Sequence, residues 1–183
     1  MNKIPSKLHV WAMSAGEIPF VMATERLPGY ERLTARWSSD QHLAASARQD
    51  TRYLLGGDEA HQPLGFVILQ PFGDVHEGTK IKRIAVAQPN QGIGRRLLAA
   101  TFEWVFREPD VDRIWLDVFA HNTRAIAAYQ AVGMTVDGTL RRAYVMPDGR
   151  RVDRLMMSIL RDEWISGGLG ETARCPLAGR DGC

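Results

Sequence analysis

A glycine-rich segment near the middle of the chain has the residues and the position to bind a phosphate group. It runs Gln91-Gly92-Ile93-Gly94-Arg95-Arg96 and stands between a predicted strand and a predicted amphipathic helix. The first backbone N–H groups of a helix lack partners and carry about half a positive charge, so they attract anions. The glycines let the backbone approach an anion closely, and the arginines add positive charge at the same end.

Three specific interpretations of this segment compete: a dinucleotide-binding fingerprint, a Walker loop and a turn that serves packing alone. A dinucleotide fingerprint needs a third glycine where this chain has Leu97, and it belongs to an early strand rather than to the middle of the chain. A Walker loop needs Gly-Lys-Ser/Thr, which this segment lacks. A glycine-rich turn that serves packing alone stays open as long as the segment is taken by itself.

Two blocks of sequence resemble the GNAT superfamily of N-acetyltransferases. The first is the strand Arg83–Val86 with the glycine-rich segment through Leu98, which resembles the acetyl-CoA loop of that family. The second runs from Trp115 to Asn122, continues through Ala125–Tyr129 and closes with Val132–Met134. The blocks come in the family's order and spacing. The C-terminal stretch from Met157 to Trp164 is similar to the branch that contains the ribosomal-protein N-terminal acetyltransferases.

The resemblance implies a fold, a co-substrate and a reaction. The fold is α/β (α+β), with a single mixed, mostly antiparallel sheet flanked by helices. Acetyl-CoA is the implied co-substrate, without a metal, and its acetyl group passes to a primary amine of a small molecule or a protein N-terminus by direct attack in a ternary complex. The residues implied in cofactor binding are Ile84, Ala85, Val86, Gln91, Gly92, Ile93, Gly94, Arg95, Arg96, Asn122 and Tyr129.

One position departs from the family pattern. Three residues before Gly92, where the family has Gln or Arg, this chain has Pro89. Proline has no backbone N–H to donate, so a pyrophosphate contact is missing at this point. We expect Gln91 or Arg95 to replace it.

Acetyl transfer from a thioester to an amine has to manage two protons. An amine with a pKa of about 10.4 is almost wholly protonated at neutral pH, so a base must remove its proton directly or through water. The leaving thiolate must be protonated or stabilised. Tyr129 matches the family tyrosine that protonates the sulfur, and a core tyrosine is the alternative. Asn122 matches the cofactor-contacting asparagine, and it can also cap its helix.

Asp117 matches the acidic residue that serves as base in the ribosomal-protein acetyltransferases. Burial can raise the pKa of a carboxylate towards neutrality, whereas an aspartate paired with a neighbouring arginine would be structural. Many relatives carry Glu on the preceding strand, where this chain has Lys80 or Lys82. Glu77 is the next candidate, and a water chain would remove the need for any single base.

Other charged residues precede these blocks. Glu25 and Glu31 lie in the helix–turn region that shapes the substrate cleft in relatives, where carboxylates would suit a cationic amine. Solvated helix charges are the alternative. Three histidines lack metal-ligand spacing and are predicted to lie on the surface, namely His42, His61 and His76.

The elements that position these residues follow from hydrophobic periodicity. The predicted order is a strand, two helices, three strands, a helix, a strand, a helix and two strands. The strongest helix signal begins at Ile93, with Leu97, Ala100 and Trp104 on one face. Residues 1–165 are predicted to form one acetyltransferase domain, and 166–183, which contain both cysteines (Cys175 and Cys183), a flexible tail.

Composition sets the remaining expectations. The chain has 183 residues, of which 45% are hydrophobic, and a net charge of +2 with both signs interspersed, which disfavours a nucleic-acid partner. No apolar run approaches the roughly 20 residues of a membrane span, and a cytoplasmic protein without a membrane partner is expected. A homodimer is compatible with the sequence. A catalytically silent acyl-CoA-binding module, or a transferase of another acyl group such as succinyl, are the alternative functions.

Overall fold

The computed structural model describes residues 8–30, 36–76 and 78–167 of the chain. These residues contain seven strands and five helices. The strands are β1 (His9–Ala12), β2 (Arg52–Gly57), β3 (Pro63–Leu69), β4 (Thr79–Val86), β5 (Arg113–Phe119), β6 (Thr135–Val145) and β7 (Arg151–Leu160). The helices are α1 (Ile18–Glu25), α2 (Ser39–Ser46), α3 (Ile93–Val105), α4 (Thr123–Gln130) and α5 (Arg161–Ser166). The predicted order of elements is confirmed, with α5 and a 3₁₀ turn at Ala15–Glu17 added. In these ranges no helix is long and apolar enough to cross a bilayer.

All seven strands join in a single sheet in the order β1-β2-β3-β4-β5-β7-β6. Every neighbouring pair is antiparallel except β4 and β5, which run parallel. The predicted fold class, a single mixed and mostly antiparallel sheet flanked by helices, is therefore confirmed.

The parallel pair is joined over only a short part of its length. Thr79 pairs with Ile114 and Lys80 with Trp115, although β4 continues to Val86 and β5 to Phe119. Beyond Lys80 the two strands diverge, so the centre of the sheet is open between them. Strand edges normally pair with each other, and an opening of this kind leaves backbone N–H and C=O groups for other partners.

Helix α3 covers one face of the sheet with the apolar stripe that its periodicity predicted. Leu97, Leu98 and Phe102 are fully buried there. Glycines in β2 and β3 bring the helix close, because a Cβ at Gly56 would lie 2.3 Å from Leu97 Cδ1 and one at Gly65 would lie 2.9 Å from Leu97 Cδ2. Each such buried side chain contributes about 1.5–3 kcal/mol, which fixes the start of α3 against the end of β4.

Helix α5 extends the folded region to the end of the described residues. Its Trp164 is 1% exposed and packs edge-on against Phe102, with ring centroids 5.6 Å apart. A six-residue helix is too short to show periodicity, which is why the sequence did not reveal it. Ser166 is the last residue of this helix, whereas Cys175 and Cys183 in the predicted tail lie outside the described residues.

Candidate functional site

A cavity of about 670 Å³ lies where β4 and β5 diverge. Its walls come from β4 (Lys80–Val86), β5 (Leu116–Phe119), the beginning of α3, one side of α4 and the β6–β7 hairpin. A volume of this size suits a ligand of the dimensions of a cofactor or its reactive arm. Residues from both of the sequence blocks that resemble the GNAT superfamily therefore meet at a single site.

One end of the cavity is built from helix N-termini. Gly92 is the N-cap of α3 with φ 73°, a left-handed conformation that favours glycine, and a Cβ there would meet nothing within 4 Å. Gly94 and Arg95 line the same end. At the start of α4, Arg124 Nη1 donates to Asn90 Oδ1 at 3.1 Å. The backbone at Gly92 is thus unobstructed by a side chain, and two helix N-termini and two arginines lie beside it. This arrangement suits the binding of phosphate groups.

Most residues predicted to bind the cofactor line this cavity, namely Ile84, Ala85, Val86, Gly92, Gly94, Arg95, Asn122 and Tyr129. The side chain of Ile93 is instead buried in the core, and Gln91 and Arg96 lie outside the lining. Pro89 is part of the wall. Of the two residues expected to replace its missing contact, only Arg95 reaches the cavity.

Tyr30 binds the edge of β4 that faces the gap. Its hydroxyl accepts from Val86 N and donates to Val86 O, both at 3.1 Å. Residues two apart in a strand direct their backbone groups to the same edge. Ile84, two residues before Val86, therefore presents its N–H and C=O to the edge that Tyr30 binds. None of the β5 residues, all of which the structure describes, pairs with Ile84. The backbone of Ile84 is thus placed to serve a ligand in the cavity.

Tyr30 could not be found from the sequence. Its partner lies 56 residues away, and no local pattern marks it.

Tyr129 lies on α4 and is 9% exposed. Burial raises the pKa of its phenol to about 12, the charges of Tyr30 and Asp117 act in the same direction, and Arg154 opposes them. The hydroxyl therefore stays protonated at neutral pH. Tyr129 also packs in the hydrophobic core with Val132 and Met134, so its expected place as a core tyrosine and its place in the cavity coincide.

Asp117 lies in the cavity wall between two cations. Its Oδ1 is 2.7 Å from Lys80 Nζ, and its Oδ2 is 2.6 Å from Arg154 Nη1. The guanidinium of Arg154 also donates to the backbone oxygen of Asp117 at 2.8 Å. These ion pairs are what the structural alternative requires. The role of Asp117 as general base stays a prediction.

Glu25 lies behind the cavity rather than in it. It is fully buried, so the alternative of a solvated helix charge is wrong. Oε2 accepts from Arg83 Nη1 at 2.6 Å, and Oε1 accepts from Arg26 Nη1 at 2.9 Å and from the backbone N of Trp37 at 3.0 Å. Arg83, which the sequence did not single out, lines the cavity in its place. Contact between Glu25 and an acceptor stays a prediction to which this geometry lends no support.

Glu31 and Glu77, the other carboxylates proposed from the sequence, lie outside the described residues.

The prediction that His42 lies on the surface is wrong. This side chain is fully buried between α2 and the sheet, with Nδ1 3.0 Å from Tyr53 Oη and Nε2 3.4 Å from Glu25 Oε1. Burial lowers the pKa of His42, while the hydrogen bond and charge of Glu25 oppose that shift. Helix α2 has almost no apolar stripe, so the sequence could not show which of its faces is inward. Among the described residues, no group of three His, Cys, Asp or Glu side chains could hold a metal ion.

Known proteins match both the sequence and the fold. Residues 19–134, more than half of the chain, match the profile of the Acetyltransferase (GNAT) family. A kanamycin resistance protein of Rhizobium radiobacter is 35% identical over 66 residues, which are 36% of this chain and 57% of that protein. The chain thus spans little more than half the length of that curated relative.

Solved acetyltransferases share the architecture at low sequence identity. The spermidine N-acetyltransferase of Vibrio cholerae, solved with CoA and spermine, superposes with a TM-score of 0.76 at 20% identity, covering 88% of this chain and 99% of that one. The ribosomal-protein-S18-alanine N-acetyltransferase of Escherichia coli superposes with a TM-score of 0.65 at 24% identity, covering 84% and 93%. These structural similarities show the shared fold. The profile match over residues 19–134, which includes the glycine-rich segment, Asn122 and Tyr129, establishes that the chain belongs to the Acetyltransferase (GNAT) family.

Proposed function

We propose that this chain transfers an acetyl group from acetyl-CoA to a primary amine by direct attack in a ternary complex. The observation that carries the proposal is the cavity, which joins an anion-binding helix end at Gly92 and Gly94 to the buried phenol of Tyr129. A kanamycin resistance protein and a spermidine N-acetyltransferase among the similar proteins support an amine as acceptor.

In this proposal acetyl-CoA supplies the thioester, and the chain holds it at two places. The first N–H groups of α3 and the guanidinium groups of Arg95 and Arg124 would bind its phosphates. The free edge of β4 at Ile84 would bind its amide-containing arm, with the side chain of Asn122 nearby in the same wall. A backbone N–H of this edge can also stabilise the oxyanion that develops on the thioester carbonyl.

Asn122 already has a structural task. Its Oδ1 accepts from Ala125 N at 3.2 Å and so caps α4. The amide nitrogen retains its donors, so capping leaves Asn122 able to contact the cofactor.

The chemical step needs a proton donor and a proton acceptor. The amine nitrogen attacks the thioester carbon, the carbon–sulfur bond breaks, and Tyr129 donates its proton to the departing sulfur. Asp117 is proposed to take the amine proton through water, because it is the one carboxylate among the described residues that line the cavity. Lys80 and Lys82, which line the same cavity, also favour the neutral form of a nearby amine, since like charges disfavour an ammonium.

Two alternatives give different results in one assay. A catalytically silent acyl-CoA-binding module has no need for a protonated phenol in the cavity, and Tyr129 favours an active enzyme for that reason. Purified protein is mixed with acetyl-CoA and a panel of amines, thiol release is followed by absorbance, and the acetylated amine is identified by mass spectrometry. Acetyl-CoA binding without thiol release from any amine would leave the silent module. Faster turnover with succinyl-CoA would assign the other acyl group.

The cytoplasmic location expected from the sequence remains a proposal, which fractionation of cells that express the chain would test.

A further inference from the structure

We infer that the acceptor is an amine that carries a carboxylate, and that Lys82, which lies next to Arg83 in the cavity wall, binds this carboxylate. The inference rests on the proposed acetyl transfer and narrows its substrate class. It differs from the substrate named for the spermidine N-acetyltransferase, which is a polyamine.

The first support is the charge of the cavity wall. Its described residues include six cations and one carboxylate, Asp117. Arg95 and Arg124 stand at the starts of α3 and α4, where the phosphates are proposed to bind. The remaining cations lie on β4 and β7, namely Lys80, Lys82, Arg83 and Arg154. Even with the buried Glu25 counted, this part of the wall has an excess of two positive charges, which repels a polycation and attracts an anion.

The second support is that the carboxylates near the acceptor are already engaged. Both oxygens of Asp117 form ion pairs, one with Lys80 and one with Arg154. Both oxygens of Glu25 are also occupied, and Glu25 is not among the residues that line the cavity. In the described part of the chain, an acceptor ammonium thus meets no carboxylate in this wall that lacks a cation.

The third support is that the protein's own cations lie over three of the five aromatic rings in the described wall. Arg83 lies 4.5 Å and Lys82 5.3 Å from the ring centroid of Trp37. Arg154 lies 5.1 Å from the ring of Phe119 and 5.8 Å from that of Tyr144. Rings such as these bind the ammonium groups of ligands when their faces are free, so the cations that lie over these three rings compete with a polyamine for them.

The contacts of Lys82 indicate where the carboxylate of the acceptor would bind. Its ammonium is exposed, donates to Gln70 Oε1 and pairs with no carboxylate among the residues described. Desolvation lowers the pKa of Lys82; the neighbouring charges of Arg83 and Lys80 act in the same direction, and Asp50 opposes them. Lys82 therefore lies among like charges that repel it. A carboxylate beside Lys82 and Arg83 would relieve that repulsion and form charge-assisted hydrogen bonds.

Three amines of equal chain length test the inference. Butylamine, γ-aminobutyrate and putrescine differ only in the group at the far end, which is neutral, anionic and cationic respectively. With acetyl-CoA, we expect kcat/KM for γ-aminobutyrate to exceed that of each of the others by at least about tenfold. Putrescine equal to or better than γ-aminobutyrate would overturn the inference and leave acetyl transfer in place.

A charge reversal tests the assigned residue. Lys82→Glu should lower kcat/KM for γ-aminobutyrate about tenfold and raise it for putrescine, with little change in acetyl-CoA affinity. Arg107→Glu is the matched control. Arg107 is well exposed just beyond the end of α3, and this substitution changes the net charge by the same amount as Lys82→Glu. An equal response of the two variants would show that Lys82 does not bind the carboxylate.

Two further measurements separate this inference from the proposed function. Succinyl-CoA with butylamine tests whether the carboxylate belongs to the donor, and turnover above that of acetyl-CoA with γ-aminobutyrate would move it there and overturn the inference. If no amine is turned over, the proposed function fails. Calorimetric titration of γ-aminobutyrate and of putrescine into the CoA complex then decides the acceptor class. Tighter binding of γ-aminobutyrate than of putrescine supports the inference, and any other order, or no binding, overturns it.

Discussion

Tyr129 keeps its proton in the cavity because burial raises the pKa of its phenol to about 12. If it protonates the leaving sulfur, Tyr129→Phe should lower kcat by roughly 10–10³-fold with little change in acetyl-CoA affinity. Steady-state kinetics and calorimetry measure the two effects. Loss of the phenol can also cost stability, so the melting temperature is the control. Unchanged turnover would restrict Tyr129 to packing.

The same shift predicts how stability responds to alkali. Tyr53 and Tyr129 both have folded-state pKa values of about 12, above the ordinary value of 10.0. Between those values the unfolded chain loses these protons and the folded chain keeps them, so the free energy of unfolding should fall as pH rises from 10 to 12. Urea titrations across this range would measure the slope, which should be shallower in Tyr53→Phe. An equal slope in that variant would assign the loss to other groups.

Asp117 has two candidate roles that a single substitution separates. If it takes the amine proton, Asp117→Asn should abolish the rise of activity with pH while the fold survives. If it only holds Lys80 and Arg154, the variant should melt at a lower temperature and keep the shape of the pH profile, because both cations lose their partner. A normal melting temperature together with an unchanged pH profile would exclude the aspartate as base, and Glu77 would be tested next.

Among the elements, the junction of β4 with α3 has the greatest consequence for binding. Gly92→Asp and Gly94→Asp should weaken acetyl-CoA binding in calorimetry carried out with a chelator, since each puts a negative charge where phosphates are proposed to lie. Gly92→Asp also strains a backbone with φ 73°, so Gly94→Asp, at an ordinary φ, is the sharper test. Gly138→Asp is a control, because this exposed glycine of β6 has open space around it. Unaltered affinity in both test variants would place the site elsewhere.

Local patterns predicted the elements well, and distant pairings escaped them. The stripe of α3 and the glycines before it follow from neighbouring residues, so both could be placed from the sequence. The partners of Arg83 and Arg154 lie 58 and 37 residues away. They meet because α1 packs against β4 and because β7 inserts between β5 and β6. No periodicity encodes such contacts, which is why Arg83, Arg154 and Tyr30 were not anticipated.

On the scale of the whole molecule, β6 is an edge strand of eleven residues, all of them exposed. It pairs with β7 on one side, and no other described strand covers its free edge. Its exposed apolar side chains include Val136, Leu140, Tyr144 and Val145. A long edge strand of this kind is normally blocked or paired, so we propose that two copies of the chain associate through β6.

Light scattering at micromolar concentration should therefore give twice the mass of the chain. Leu140→Lys should shift the protein to the monomer, because a buried lysine at the interface would lose its hydration without gaining a partner. Val75→Lys is the matched control, since Val75 is 83% exposed in the turn before β4 and is not part of β6. A monomeric wild-type protein, or equal dissociation of both variants, would contradict the dimer. Acetyl-CoA binding should persist in the Leu140→Lys monomer, because Leu140 lies outside the cavity lining.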